Sequence, residues 1–261
     1  MSGATAKIRG LAREAAVRTG REQQARELLG RVREARSAFD PAARRERRDE
    51  HALAVALAAA LRHDSNAIDV GANQGATLEL IAHLAPAGRH IAYEPLPELH
   101  AALVERFPAV DVRRAALSDE AGTAEFTHVV DAPAYSGLRE RRDLPAEVAG
   151  AVERIEVEVQ RLDDALPDGY LPALIKIDVE GAELHAMRGA AATIERAKPY
   201  VLFEHGLGGA DLYGSRPGEV FDLLSGAGLR IFDLEGDGPY TRDGFEAVFA
   251  EPIWNFLAAP A

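Results

Sequence analysis

The stretch Ala67-Ile68-Asp69-Val70-Gly71-Ala72-Asn73-Gln74-Gly75-Ala76-Thr77 constrains this chain more than any other. A short apolar run breaks into a turn with two glycines. Leu78, Ile81, Ala82 and Ala85 then recur at helical spacing. Strand, glycine turn and helix is the local form of a site for a nucleotide-type ligand. The glycines let backbone approach the ligand, and the free N–H groups of the first helical turn face it.

The rest of the chain repeats that alternation. Residues 53–61 predict a helix leading into strand Ala67–Val70, with helix 78–84 after the turn. Strand 90–94, helix 98–107 and strand 110–117 complete a β-α-β-α-β half of a doubly wound parallel sheet. Residues 123–130 and 155–162 alternate as two further strands, separated by a long charged loop over 131–153. Then come strand 173–179, helix 182–197, strand Tyr200–Glu204, helix 219–227 and strand 229–234. Residues 245–249 read as short strand or turn, and 253–258 as a closing strand.

Charge divides the chain near residue 50. Residues 1–50 hold 13 Lys/Arg against 8 Asp/Glu, and residues 51–261 hold 17 against 34. The first segment predicts a basic helical extension, with Arg44, Arg45, Arg47 and Arg48 after Asp40-Pro41. A solvated helical face, a homodimerisation arm, a lid and a contact to an anionic partner all fit it. The net charge of −12 argues against nucleic acid as a partner. No apolar run is long enough to span a bilayer, no leader-like start is present, and cysteine is absent, so a cytoplasmic protein is expected.

The glycine turn identifies its ligand by what it lacks. A dinucleotide fingerprint would need glycine where Asn73 stands. Asp69, Gly71 and Gly75 instead form the acid-x-Gly-x-x-x-Gly pattern of S-adenosylmethionine (SAM) sites. Glu94, at the tip of the second strand, is placed to take ribose hydroxyls as a charged acceptor. The expected cofactor contacts are Asp69, Gly71, Ala72, Asn73, Gly75, Thr77, Glu94, Pro95, Ala116, Leu117, Ser118 and Asp178.

Several motifs in order resemble the FkbM-type SAM-dependent methyltransferases. They are Ile68-Asp69-Val70-Gly71-Ala72-Asn73-Gln74-Gly75, Tyr93-Glu94-Pro95, Ala115-Ala116-Leu117-Ser118-Asp119-Glu120-Ala121-Gly122, Ser136-Gly137-Leu138 and Leu162-Asp163-Asp164. Most specific is Ile175-Lys176-Ile177-Asp178-Val179-Glu180-Gly181-Ala182-Glu183-Leu184, with Met187-Arg188-Gly189-Ala190 after it. Leu202-Phe203-Glu204-His205 and Asn255-Phe256-Leu257 complete the set. Arg114 and Gly137 depart from the family pattern. The resemblance covers about residues 64–258. It implies a Rossmann-like class I methyltransferase sheet, mostly parallel with an antiparallel last strand, and O-methylation of a sugar, glycolipid or polyketide-like natural product. N-methylation of an amine, and a non-catalytic SAM-binding protein, are the alternatives.

Methyl transfer needs the acceptor held in line behind the methyl–sulfur bond, with help for a hydroxyl to lose its proton. The ends of the fourth and fifth strands carry Asp178, Glu180, Glu204 and His205. His205 is expected as general base or as a structural histidine, with Glu204 and Asp178 as the other catalytic candidates. Asp178, Glu204 and His205 could also hold magnesium. The expected substrate contacts are Glu180, and Tyr135, Ser136 and Arg139 from the long loop, which either closes over the substrate or lies on the surface.

Overall fold

The computed structural model describes residues 41–130, 132–139, 152–251 and 253–261, with backbone alone for 41–47. Residues 1–40 of the expected extension and 140–151 of the expected loop lie outside the described residues, and the homodimer contact with them. Contacts divide the chain into Met1–His51 and Ala52–Ala261. Helix α1 spans Pro41–Ala60. Among the described residues no helix is long and apolar enough to cross a membrane.

The second unit is built on a seven-stranded sheet. Strand β1 (Ala67–Val70) lies inside it, paired parallel with β2 (Ile91–Tyr93) on one side and with the central strand β7 (Leu174–Ile177) on the other. Beyond β2 lies β3 (Asp111–Arg113), and beyond β7 lies β8 (Tyr200–Glu204), both parallel. Strand β10 (Asn255–Pro260) runs antiparallel between β8 and β9 (Leu229–Asp233). The order β3-β2-β1-β7-β8-β10-β9 reverses between β1 and β7. Such a switch point opens a crevice at the carboxyl ends of the strands, where ligands bind. β1, β2 and β7 are buried throughout, because helices cover both faces of a parallel sheet and leave no polar-facing side.

A second sheet pairs β4 (Ala116–Leu117) with β6 (Val152–Gln160), and β6 with β5 (Gly122–Val129). It corrects the single strand expected over 110–117, which divides between the two sheets. Arg113 Nη1 donates to Tyr93 Oη at 2.8 Å and to Ala165 O at 2.7 Å, tying β3 to β2. Ala116 instead packs with Phe126, Val157 and Val159 of the small sheet.

Among the described residues the other α-helices are α2 (Ala76–Leu84), α3 (Pro97–Arg106), α4 (Leu162–Ala165), α5 (Glu183–Gly189), α6 (Ala191–Ala197), α7 (Pro217–Gly226) and α8 (Arg242–Val248). The single helix expected over 182–197 is thus two, meeting at Ala190. At that junction a Cβ on Gly189 would lie 2.0 Å from Ser118 O, so the chain presses against the β4 end. Residues 245–249, expected as strand or turn, fall mostly in α8. Its N-cap Thr241 accepts a hydrogen bond from Gly244 N at 3.1 Å, satisfying an N–H that the helix leaves open. Phe245 of α8 stacks edge-on against Phe256 of β10 at 5.0 Å, which buries the helix on the sheet.

Candidate active site

Two clefts adjoin at the carboxyl end of the sheet. The first, about 740 Å³ and open to solvent, lies over the β1–β7 switch point. Its polar edge is the turn after β1. Gly71, Asn73 and Gly75 take φ of +75°, +48° and +80°. The turn is held to β2 by Tyr93 O, which accepts from both Gly71 N and Ala72 N at 3.0 Å. Glu94 completes the link: Oε2 accepts from Asn73 N at 2.8 Å and Oε1 from Leu96 N at 2.9 Å. Burial pushes the Glu94 carboxyl up, against the pull of those N–H groups and of Lys176. Asn73 Oδ1 is buried without a hydrogen-bond partner, an acceptor ready for a ligand proton. The opposite wall is apolar, formed by Leu96, Leu99, Phe126 and Leu138.

Beneath the turn, Lys176 Nζ donates to Gly71 O at 3.0 Å and pairs with Asp178 Oδ2 at 3.2 Å and Asp69 Oδ1 at 3.4 Å. Burial alone would push the ammonium down; Asp178 and Asp69 beside it push it up instead. Asp69 is fully buried, and burial pushes its carboxyl up against the pull of Lys176. Asp69 is one of the expected cofactor contacts, and its carboxyl is tied to Lys176 instead of facing the first cleft. It lies outside the cleft lining and acts through Lys176 on the turn and on Asp178.

The second cleft, about 1020 Å³, is lined by Tyr135, Glu180, Glu183, Glu204, His205 and Trp254 among others. It shares Ala134 and Glu180 with the first. Glu180 sits in the turn between β7 and α5 with φ of +56°, a conformation that costs a non-glycine residue energy. Glu183 holds that turn, its Oε1 accepting from Val179 N and Gly181 N at 3.0 Å. Burial raises the Glu183 carboxyl to about 7, against those backbone donors. Gly181 cannot be replaced cheaply, since a Cβ there would lie 2.4 Å from Gly209 C and O.

His205 is 2% exposed and stacks on Phe245 at 5.9 Å, with Phe249 at 5.0 Å. Neither ring nitrogen has a hydrogen-bond partner. Burial lowers its pKa to about 4, so the ring is neutral at neutral pH. The folded value lies below the unfolded one near 6.5. The stability this gives is therefore complete above pH 6.5 and is lost as pH falls toward 4, a change of about 3 kcal/mol. His205→Phe keeps the aromatic packing and removes the titration. Urea unfolding of both proteins between pH 7 and 4 is expected to show the variant gaining stability relative to wild type as pH falls. Glu183 titrates in the opposite sense in both proteins and cancels in the difference. A constant difference across that range would contradict the reading.

Of the expected cofactor contacts, Gly71, Asn73, Glu94, Pro95, Ala116, Leu117 and Asp178 line the first cleft. Ala72, Gly75, Thr77 and Ser118 do not; Gly75 packs on α3, where a Cβ would meet Leu103 and Phe107 at 2.7 Å. Of the expected substrate contacts, Tyr135 and Glu180 line the second cleft. Ser136 lines the first, with its Oγ accepting from Val129 N at 3.0 Å. Arg139 lines neither: its guanidinium sits 5.3 Å over the Tyr213 ring and donates to Leu212 O. The magnesium set does not assemble. Asp178 lines one cleft, Glu204 and His205 the other, and among the described residues no three His, Asp or Glu side chains gather to hold a metal. The apolar wall of the first cleft and Trp254 in the second, with Lys176 beneath the turn, are not singled out by the sequence. The period-two alternation around Phe126 carried a signal for the wall; Trp254 had none.

A doubly wound sheet with β10 antiparallel in its second half, carrying this cleft at its switch point, defines a class I, Rossmann-like methyltransferase fold. The family model for the FkbM methyltransferase domain matches residues 69–231. The chain is 33% identical over 201 residues to 31-O-demethyl-FK506 methyltransferase FkbM of Streptomyces tacrolimicus, covering 66% of this chain and 75% of that one. It is 30% identical over 152 residues to methyltransferase sdnD of Sordaria araneosa, covering 47% of this chain and 59% of that one. A solved FkbM methyltransferase from Methylobacillus flagellatus KT is 17% identical with a TM-score of 0.46, covering 76% of this chain and 44% of that one. The chain belongs to the FkbM methyltransferase family. Membership implies SAM as methyl donor. The first cleft fits that molecule, with an unpartnered acceptor at Asn73, a carboxylate at Glu94 and an apolar wall opposite.

Proposed function

We propose that the protein methylates a hydroxyl of a small molecule, a sugar, glycolipid or polyketide-like natural product, bound in the second cleft. The observation that carries this reading is the pair of adjoining clefts sharing Glu180 and Ala134. The relative whose name specifies a 31-O-methyl position supports oxygen as the acceptor atom.

Bound SAM supplies an electrophilic methyl group. In the first cleft Glu94 would accept the ribose hydroxyls, and Asn73 Oδ1 would accept a further ligand proton. Leu96, Leu99, Phe126 and Leu138 would hold the apolar base, and Asp178 would face the amino group. In the second cleft neutral His205 accepts a hydrogen bond from the acceptor hydroxyl and orients it. With a pKa near 4 it holds a proton poorly, so it suits orientation better than the base role. Glu204 and Glu180 are the carboxylates in the same cleft that can take the hydroxyl proton as the new C–O bond forms.

Calorimetry with S-adenosylhomocysteine (SAH) tests the division of labour. Glu94→Gln is expected to weaken SAH binding about 10- to 100-fold, the loss of charged hydrogen bonds of about 1.5–3 kcal/mol. His205→Ala is expected to keep SAH binding and lose turnover on hydroxyl acceptors. Methylation confined to amines would overturn the O-transfer reading.

A further inference from the structure

Residues 132–139 run as a strap along both clefts. Pro133, Ala134, Ser136 and Leu138 line the first, and Ala134 and Tyr135 line the second. After a 3-10 turn over Pro133–Tyr135 the chain folds back onto β5. There Thr127 N donates to Gly137 O at 2.8 Å, and Gly137 N donates to Thr127 O at 3.1 Å. Ser136 Oγ accepts from Val129 N at 3.0 Å. Thr127 and Ser136 are buried, so water does not compete for these bonds, and the strap is firmly part of the small sheet.

The far end of the strap is held differently. Arg139 N donates to Tyr213 Oη at 2.9 Å, Arg139 Nη1 donates to Leu212 O, and the guanidinium lies over the Tyr213 ring. Leu212 and Tyr213 belong to a 3-10 turn, Ala210–Tyr213, that follows β8. Leu207, Gly209 and Ala210, which lead into that turn, line the second cleft. The clasp thus ties the small sheet to a wall carried by the large one. Gly137, a departure from the family pattern, leaves room for it, since a Cβ there would lie 3.2 Å from Tyr213 Oη. Both hydrogen bonds of the clasp are exposed, so water replaces them when they break, and each holds the strap weakly. A firm tie at one end and a weak one at the other is the form of a gate hinged on the small sheet.

We propose that Tyr213 is a positioning residue that latches the 132–139 strap along both clefts, and that opening of the Arg139–Tyr213 clasp limits how fast SAM enters and SAH leaves. The proposal rests on the first cleft being the cofactor site. Closed, the strap keeps Leu138 in the apolar wall and Ala134 at the boundary of the two clefts. Tyr213 touches neither ligand and acts through Arg139 and the strap.

The chain has no cysteine, so a cysteine pair placed at the clasp reacts without competition. Arg139→Cys/Tyr213→Cys is bridged with a short bis(methanethiosulfonate), and reduction removes the bridge. Neither position lines either of the two clefts, so the bridge leaves both unfilled. Release of radiolabelled SAH from the full chain is followed by rapid filtration after a chase with unlabelled SAH. Bridging after loading is expected to slow release at least about tenfold, and bridging before loading to slow uptake alike. Reduction is expected to restore both rates. Tyr213→Phe keeps the ring, removes the acceptor hydroxyl and is expected to speed release about 3- to 10-fold. Opposite effects of the bridge and the phenylalanine variant are not produced by a tyrosine that only supports the fold. Release unchanged by bridging, expulsion of SAH on bridging, failure of the pair to bridge, or release from Tyr213→Phe at the wild-type rate overturns the proposal. If SAH still binds the wild type in that event, the latch alone is wrong. If SAH does not bind, the assignment of the first cleft fails with it.

Discussion

Lys176→Met is expected to lower the unfolding free energy by about 3–5 kcal/mol, because it leaves the fully buried Asp69 carboxylate without its cation. In a unit of this size that corresponds to roughly 6–20 °C in Tm. The lysine side chain is 11% exposed, so solvent cannot replace it at Asp69, while Asp178 at 43% exposed can turn to water. The damage should therefore come mainly from Asp69. Asp69→Asn in the Lys176→Met background is expected to recover more than half of the loss, since a neutral amide needs no counter-charge. Differential scanning calorimetry of the wild type and both variants measures this. A loss below about 1 kcal/mol for Lys176→Met, the range of an exposed pair, would contradict the burial argument.

Gly71→Ala is expected to combine two penalties. Its φ of +75° costs an L side chain about 1–2 kcal/mol. Its Cβ would lie 1.9 Å from Asp178 O, a backbone atom that cannot turn aside. Overpacking of that kind adds about 1–3 kcal/mol. The collision also separates the β1 turn from the β7 end, the two edges of the cofactor cleft. SAH binding should fall at least about tenfold, the equivalent of about 1.4 kcal/mol. Gly169→Ala is the control, with φ of +72° and nothing within 4 Å of its Cβ. It is expected to pay only for its dihedral and to bind SAH as wild type does. Equal losses for the two variants would contradict the role given to the Gly71–Asp178 contact.

That contact shows where the sequence was informative and where it was silent. The glycine turn and the alternating strands and helices around it were readable, because apolar runs of four or five residues and a two-glycine turn are local signals, whereas the antiparallel direction of β10 was implied by the family resemblance alone. The reason for Gly71 was not readable. Its neighbour in space is Asp178, 107 positions away, and no local pattern records that approach. Asp69 illustrates the same limit: an acid beside a glycine turn suggests a ligand, yet its partner is Lys176 on the next strand. Residues 245–249 misled because Phe245 and Phe249 lie on one face of a short helix whose cap, Thr241, stands four residues upstream. Division of Asp178 from Glu204 and His205 between two clefts follows from the geometry of adjacent strand ends, and only coordinates separate them.

The most direct test of the account is a crystal structure of the protein with SAH. The ribose is expected at Glu94 and the base among Leu96, Leu99, Phe126 and Leu138. The sulfur should face the boundary at Glu180, where the two clefts meet. Density for SAH in the cleft of His205 and Trp254, or a sulfur directed away from Glu180, would contradict it.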